Sequence, residues 1–536
     1  MNATQAKQMG QAITALHPRQ MGAIPLVYPI LTDLEVEQTV NTLISSQADV
    51  DMGRVVMLLT LNRLLASQPL YRVADWLGET VLPQVLDVEA EKMYDNRLGR
   101  ALDRLHPHLG ELWARLVSRA IQVYDLDLNV LHWDITSIYF EGAYADSELA
   151  AYGYSRDHRP DTKQMNLEVD VTHDGYVPVL YHTLPGDVAD ITRPVPHLHA
   201  LLRFLARSEL AERRLRPILV SDCKMITPEA VLACHHHDLC YLGPLSDGTA
   251  IEQVFKSIST EELVAHPLAY RPQRVKPDDP DFVPYQGVWR PFAFEHRGQQ
   301  VTDRVLVVWS AGKQRLDEQK RRTYLKRLLN GLDAIQKKLN TRRYKKRVYV
   351  EQRLAAIQQG NPTKGLVDVH LDGADEALTL TFRINRQRLA EAQTLDGRYA
   401  LATNASHLDA DETQVLFKGQ DGVEKRFRVV KGPLLVHPLF VRTDRRIEGL
   451  VFVTLLALLV QAILERLCRQ QGWAMTAERL FQEFATLQAV DLTWADGSRQ
   501  RRASEMTVFQ SQVLRALGWP EPDTYARLDP AGSVSG

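Results

Sequence analysis

Cysteine is scarce in this chain: Cys223, Cys234, Cys240 and Cys468 are the four in 536 residues. So few exclude a disulfide-built scaffold and point to a reducing cytoplasm. Net charge is also small, −2 at pH 7. The overall balance therefore selects neither an acidic nor a basic partner, though it can hide local asymmetry. The opening "MNATQAKQMGQAITALHPRQ" lacks an apolar h-region, so no secretory signal is expected. Long hydrophobic runs are missing too. The most apolar, "GLVFVTLLALLVQAIL" (Gly449 to Leu464), contains Thr454 and Gln461. It falls short of the roughly 20 residues of a membrane span, and a buried core helix is expected instead. There is no repeat, no low-complexity segment, no glycine-rich phosphate loop, no HExxH pair and no nucleophile elbow. Nothing therefore points to P-loop, zincin or serine-hydrolase chemistry.

What is present is ordinary globular material: 45% hydrophobic and 24% charged residues. The chain is too long for one core, and about two to four domains are expected. Residues 1–127 read as a helical module, with apolar spacings of three and four in "VEQTVNTLI", "MGRVVMLLTLNRLLA" and "PLYRVADWLGETV". DNA binding or packing would suit such a module equally. Residues 128–245 change grammar: three strand candidates, "LNVLHWDITSIYF", "KQMNLEVDVTH" and "YVPVLYHTLPG", precede alternating helix and strand. One of those helices, "TPEAVLACHH", opens with Thr227 as N-cap and Pro228 in first position. This pattern predicts a mixed α/β sheet. Residues 246–395 interrupt it with a Pro-rich loop, four strands and a basic helical stretch. From Lys313 to Arg353 there are 15 Lys or Arg against 4 Asp or Glu. A solvated helix face explains such a run, and so does a phosphate backbone, with Tyr324, Tyr344 and Tyr349 interleaved. The strand "GRYALATN" and two helices resume the pattern over 396–470, and 471–536 reads as a helical tail.

Three acids stand out. Asp134 lies inside an apolar strand, where a charge is costly unless paired or bound to a metal. Asp222 closes the buried strand "RPILVSD". Glu424 lies in "TQVLFKGQDGVEKRFRVVK", where Phe417, Gln420, Glu424, Phe427 and Lys431 are spaced 3, 4, 3, 4 and share a face if the stretch is one helix. Three converging carboxylates suit Mg²⁺ or Mn²⁺.

An ordered series of motifs carries a resemblance: "QPLYRVADWLGE", "DNRLGRALDRL", "LHWDITSIYFEG", "YGYSRDHRPDTKQMNLEV", "LPGDVAD", "LVSDCKMITPEAV", "DGRYALATN" and "VEKRFRVVKGPL". The chain resembles the bacterial insertion-sequence DDE transposases with a Tyr-x2-Arg-x3-Glu-x6-Lys motif, in the subgroup with a helical N-terminal domain. The resemblance implies an RNase H-like catalytic core interrupted by a β-rich insertion domain. It assigns Asp134, Asp222 and Glu424 as metal ligands and catalytic residues, and Lys431, with Gln420 and Arg428 beside it, as contacts to DNA. It further implies two Mg²⁺ (or Mn²⁺) ions, transposon-end and target DNA as partners, and a homodimer at synapsis. A cytoplasmic, nucleoid-associated protein that does not use a membrane is expected. Trp289 or Trp309 would stack on a flipped base.

The chain departs from that motif in several places. Phe417 stands for its Tyr and Gln420 for its Arg, and Cys223-Lys224 stands where relatives often have Arg-Gly. Gly419 and Gly422 should each weaken a helix by roughly 1 kcal/mol relative to Ala. A nuclease on the same core, or a non-catalytic DNA-binding relic, are the alternatives. Two weaker signals remain. Cys234-His235-His236-His237-Asp238-Leu239-Cys240 gathers zinc-type ligands, at a spacing that fits no common structural site. His158, Arg159, Asp161 and Lys163 form a polar loop that reads as solvated or as a DNA contact.

Overall fold

The computed structural model describes residues 13–45, 48–157, 159–207, 210, 215–222, 224–272, 275–276, 279–434, 441–495 and 499–526. His158 and Cys223 lie outside the described residues. The chain divides into two compact units. One holds Met1–Val220, His237–Leu239 and Gly419–Gly536; the other holds Ser221–His236 and Cys240–Lys418. The strands are β1 (Ile13–Gln20), β2 (Val130–Tyr139), β3 (Gln164–Thr172), β4 (Pro178–Pro185), β5 (Ile218–Val220), β6 (Cys240–Pro244), β7 (Gln286–His296), β8 (Gln299–Trp309), β9 (Val367–Asp372), β10 (Thr379–Ile384), β11 (Arg398–Thr403), β12 (Gln488–Trp494) and β13 (Arg499–Ala503).

The first unit is built around the helix Asp444–Gln470. At 27 residues it outruns the apolar stretch seen in the sequence. By length and composition it could cross a membrane, yet 94% of its apolar window is buried inside the protein. Helices Ile24–Asp33, Met52–Leu65 and Asp95–Leu105 pack on it, as does β4. Its two polar residues are satisfied locally: the Thr454 hydroxyl donates to the Leu450 carbonyl, and the Gln461 amide reaches Glu465. Such pairing removes the penalty of burying them.

The sheet of this unit runs β4-β3-β2-β5. β2 and β3 pair antiparallel, as do β3 and β4, while β5 lies parallel to β2, so the sheet is mixed. Every residue of β3 is buried, including Asn166, Glu168 and Asp170. In the β2–β3 register Asp134 faces Val169 and Ile135 faces Glu168. Because side chains alternate across a strand, Asp134 and Glu168 stand on opposite faces.

A second, three-stranded sheet in order β1-β12-β13 corrects two expectations. Residues 13–20, read as part of a helical module, are a strand, and the tail read as helical contains a hairpin. β1 carries Pro18 and no clean alternation; its extended state comes from pairing with the distant β12, which local pattern cannot show. The tail's amphipathic helix is present as Val508–Leu517, opened by a capping box between Thr507 and Gln510.

The sheet of the second unit runs β6-β11-β8-β7, antiparallel throughout. β8 comes from the stretch read as an insertion and β11 from the stretch read as resumed core; they are direct neighbours. Helix Pro228–His236 starts as expected, with the Ala230 N–H donating to the Thr227 hydroxyl at 3.2 Å. A separate core forms where helices Ala311–Gln336 and Arg347–Gln358 pack on the β9–β10 hairpin. It buries Leu328, Leu332, Ile335, Val350, Leu354 and Leu380.

Candidate active site

The stretch expected as one helix through Phe417 and Lys431 is two: Ala410–Lys418 and Asp421–Lys431. The shared 3, 4, 3, 4 face therefore does not exist. The break falls at Gly419-Gln420, where the Gly422 N–H turns back to the Gly419 carbonyl. Phe417 lies in the last turn of the first helix, in the second unit, and packs on the Tyr399 ring. Gln420 immediately precedes the second helix, which carries Glu424 and lies against β2 in the first unit.

Gln420 fixes that helix on β2. Its amide Nε2 donates to the Trp133 carbonyl at 2.8 Å, and its Oε1 meets His132 Nδ1 at 3.0 Å. His132 Nε2 in turn lies 2.9 Å from His173 Nδ1. One set of tautomers satisfies all three bonds: His173 donates to His132, His132 to Gln420, and Gln420 to the backbone. That relay requires a neutral His132. Burial holds its pKa down to about 4, against the Gln420 bond that raises it, with His173 lowering it further. Two residues along β2, Asp134 is half-buried, its Oδ1 accepting from the Ile135 N–H at 2.7 Å. Partial exposure removes much of the desolvation cost that the sequence raised.

Two further residues seat the Glu424 helix, and the sequence reading assigned neither this role. Arg426 donates to the carbonyls of Gly175 (2.6 Å) and Tyr176 (3.0 Å), and pairs with Glu465 at 2.6 Å. It stands on the buried side with Val423, Phe427 and Val430, which is the one signal the sequence offered. Gly422 lets the Tyr176 ring lie flat on the helix: a Cβ there would sit 2.0 Å from Tyr176 Cε1. The glycine read as a weakness is thus a packing requirement.

Glu424 is exposed, as is Arg428. Lys431, expected on DNA phosphate, is held by Asp157, with Nζ at 2.7 and 2.9 Å from its two oxygens. Asp222 is half-buried, counted with the second unit, and lies two residues beyond β5; its Oδ1 accepts from the Lys224 N–H at 2.9 Å. Among the described residues, one group of three metal-type side chains has ligand atoms mutually within 4.8 Å. It is Glu168, His182 and His197, not the three acids named from the sequence.

The other candidates have structural occupations. His235 pairs with Asp303, which also accepts from the Tyr241 hydroxyl, and the Cys234 thiol is pushed up to about 12 by burial. A free buried thiol of this kind is a poor metal ligand. Arg304 lies over the Trp289 ring at 4.2 Å, so that face is already covered. Trp309 stands beside Gly397, where an added Cβ would lie 2.7 Å from its Nε1. Arg159 pairs with Asp161, and Lys163 donates to the Tyr144 carbonyl. In the basic stretch Lys320, Arg322, Lys326 and Arg327 are exposed, while Tyr344 and Tyr349 pack edge to face at 5.1 Å.

Residues 17–117 match a family model described as a domain of unknown function, DUF4277. No curated protein matches the sequence. Among solved structures, the chain is similar to a cryo-EM structure of the piggyBac transposase synaptic complex with hairpin DNA. Identity is 8% and the TM-score 0.36, over 88% of this chain and 82% of that one. It is also similar to the Mos1 transposase paired-end complex with left transposon end, at 15% identity and TM-score 0.16, over 37% of this chain and 60% of that one. For the Mos1 strand transfer complex the values are 17% and 0.15, over 39% and 63%. The chain thus spans less than two thirds of the Mos1 chains it matches. Overlaps of this size do not define a shared fold.

Proposed function

We propose that this chain is a DNA transposase of the bacterial insertion-sequence type, working through Asp134, Asp222 and Glu424 on an RNase H-like core. The observation that carries the reading is the Gln420 clamp: it ties the helix bearing Glu424 to the strand bearing Asp134, within one unit. The donor set is all carboxylate oxygen, which fits Mg²⁺ or Mn²⁺. Bound there, the ions would activate the attacking oxygen and stabilise the leaving one.

The chain's own residues position the DNA. Arg428 and the exposed basic face of Ala311–Gln336 attract phosphate, and Lys431 joins them on exchanging its Asp157 partner for a phosphate oxygen. Water attacks a phosphodiester at the element's end; a new P–O bond replaces the broken one and frees a 3′-hydroxyl. That hydroxyl then attacks target DNA or the opposite strand, again exchanging one P–O bond for another. Catalysis of this kind is positioning and charge neutralisation. Two ends in one complex imply a homodimer.

The test uses pre-cleaved ends taken from the DNA flanking the coding sequence. Full-length protein with Mg²⁺ should join them to a target plasmid. Cutting without joining would reduce the protein to a nuclease on the same core, and binding with neither activity would make it a relic.

A further inference from the structure

On the face of the first unit's sheet away from Asp134, four ionisable side chains cluster, three of them buried. Glu168 on β3 stands opposite His182 on β4. Asp170, two residues on, shares that face with Trp133. His197, from the helix Pro194–Leu205 above, lies on the Trp133 ring at 4.9 Å. Glu168, Asp170 and His197 are essentially inaccessible, whereas the His182 side chain is 33% exposed at the mouth of the group. The proposed transposase chemistry uses none of them.

Their geometry is that of a chelate. His197 Nε2 lies 3.2 Å from Asp170 Oδ1, and its Nδ1 is turned toward Glu168. Glu168 Oε2 is 3.6 Å from that Nδ1 and 3.1 Å from His182 Nδ1. Both nitrogens are buried, and the Glu168 carboxylate is the group that each faces. A carboxylate that faces two imidazole nitrogens is bridged to them either by protons or by a metal cation that replaces those protons. Ligands about 2.1 Å from a tetrahedral metal stand roughly 3.4 Å apart; here Glu168 lies 3.1 and 3.6 Å from the two imidazoles, and the three ligand atoms are all within 4.8 Å of one another. A carboxylate behind the distal nitrogen of a ligating histidine is the usual orienting partner. Arg193 also holds Glu168, with Nη2 at 3.0 Å from Oε2, the oxygen that faces the histidines, and Nε at 3.4 Å from Oε1.

We propose that Glu168, His182 and His197 bind a first-row divalent transition metal, Zn²⁺ as the natural occupant, in a structural site separate from the three proposed catalytic acids. Two imidazoles and one carboxylate select such an ion over Mg²⁺. The metal would pin the Pro194–Leu205 helix to β3 and β4.

Co²⁺ titration of the full-length, metal-stripped protein, read by visible absorption, tests this. Wild type should take up one equivalent with the strong bands of low-symmetry coordination. Asp134→Asn should keep those bands, which separates this site from the proposed catalytic one. His182→Gln, at the exposed mouth where folding should survive, should lose them. Asp170→Asn should weaken binding about 10–100-fold, and Zn²⁺ should displace the Co²⁺. Absence of bands in wild type, bands unchanged in a folded His182→Gln protein, or bands lost in Asp134→Asn would each overturn the proposal.

Discussion

Gln420 looks in the sequence like a lost arginine. In the structure it bridges a neutral histidine and a backbone carbonyl, a role that needs one donor and one acceptor on the same side chain. An arginine has no acceptor for the His132 N–H, so the substitution and His132 make sense together. Replacing Gln420 by Ala would leave both partners poorly satisfied. Denaturant titration should give a loss of about 1–3 kcal/mol, and a loss within error would mean that the clamp does not hold the helix. The residue scale is also where sequence reading was weakest. Asp134 and Glu424 stand out in the sequence as acids in apolar or motif-bearing stretches, and their catalytic role is the proposal made above. Glu168 and Asp170 were passed over inside "KQMNLEVDVTH", since nothing local reveals that β3 is buried on both faces. Arg426 was hidden among neighbouring charges for the same reason.

Elements came through better where the pattern was local. The helix Pro228–His236, the β3–β4 hairpin and the core helix Asp444–Gln470 all follow from caps, turns and apolar runs. Misreadings arose where long-range pairing decides, as with β1 on β12, or where a tertiary contact breaks a helix, as at Gly419-Gln420. Gly422 illustrates the second case. Gly422→Ala raises intrinsic helix propensity, yet it drives a methyl into Tyr176. A net loss of about 1–3 kcal/mol in stability is expected, and a stabilised variant would contradict the packing. The terminal sheet carries a pH prediction. Burial raises the pKa of Asp491, but Arg501 and Arg19 outweigh it and hold the carboxyl below its usual range. A lowered folded-state pKa means that this stabilisation is complete above the unfolded value near 3.9 and is lost as pH falls through the lower one. Thermal melts from neutral to acid pH should fall less steeply in Asp491→Asn than in wild type. The basic helix Ala311–Gln336 makes a further prediction: Lys326→Ala with Arg327→Ala should weaken DNA binding uniformly across sequences. The salt dependence should fall by about 0.9 in log–log slope per phosphate contact removed, and an unchanged slope would assign the run to a solvated face.

At the scale of the whole molecule, Asp134 and Glu424 belong to the first unit and Asp222 to the second. The sequence suggested the mixed sheet and the ordered motifs, but not a division that counts the second acid with the β7–β8 strands. The account stands on these three acids acting together on DNA. Its most direct measurement is cleavage of a supercoiled plasmid carrying the gene's flanking DNA, with Mg²⁺ and with EDTA, by wild type and by folded Asp134→Asn, Asp222→Asn and Glu424→Gln proteins. The prediction is Mg²⁺-dependent cutting by wild type and a loss of at least about 100-fold in each variant, on the scale of losing a group that stabilises transition-state charge. Equal cutting by wild type and any one of the three would contradict it.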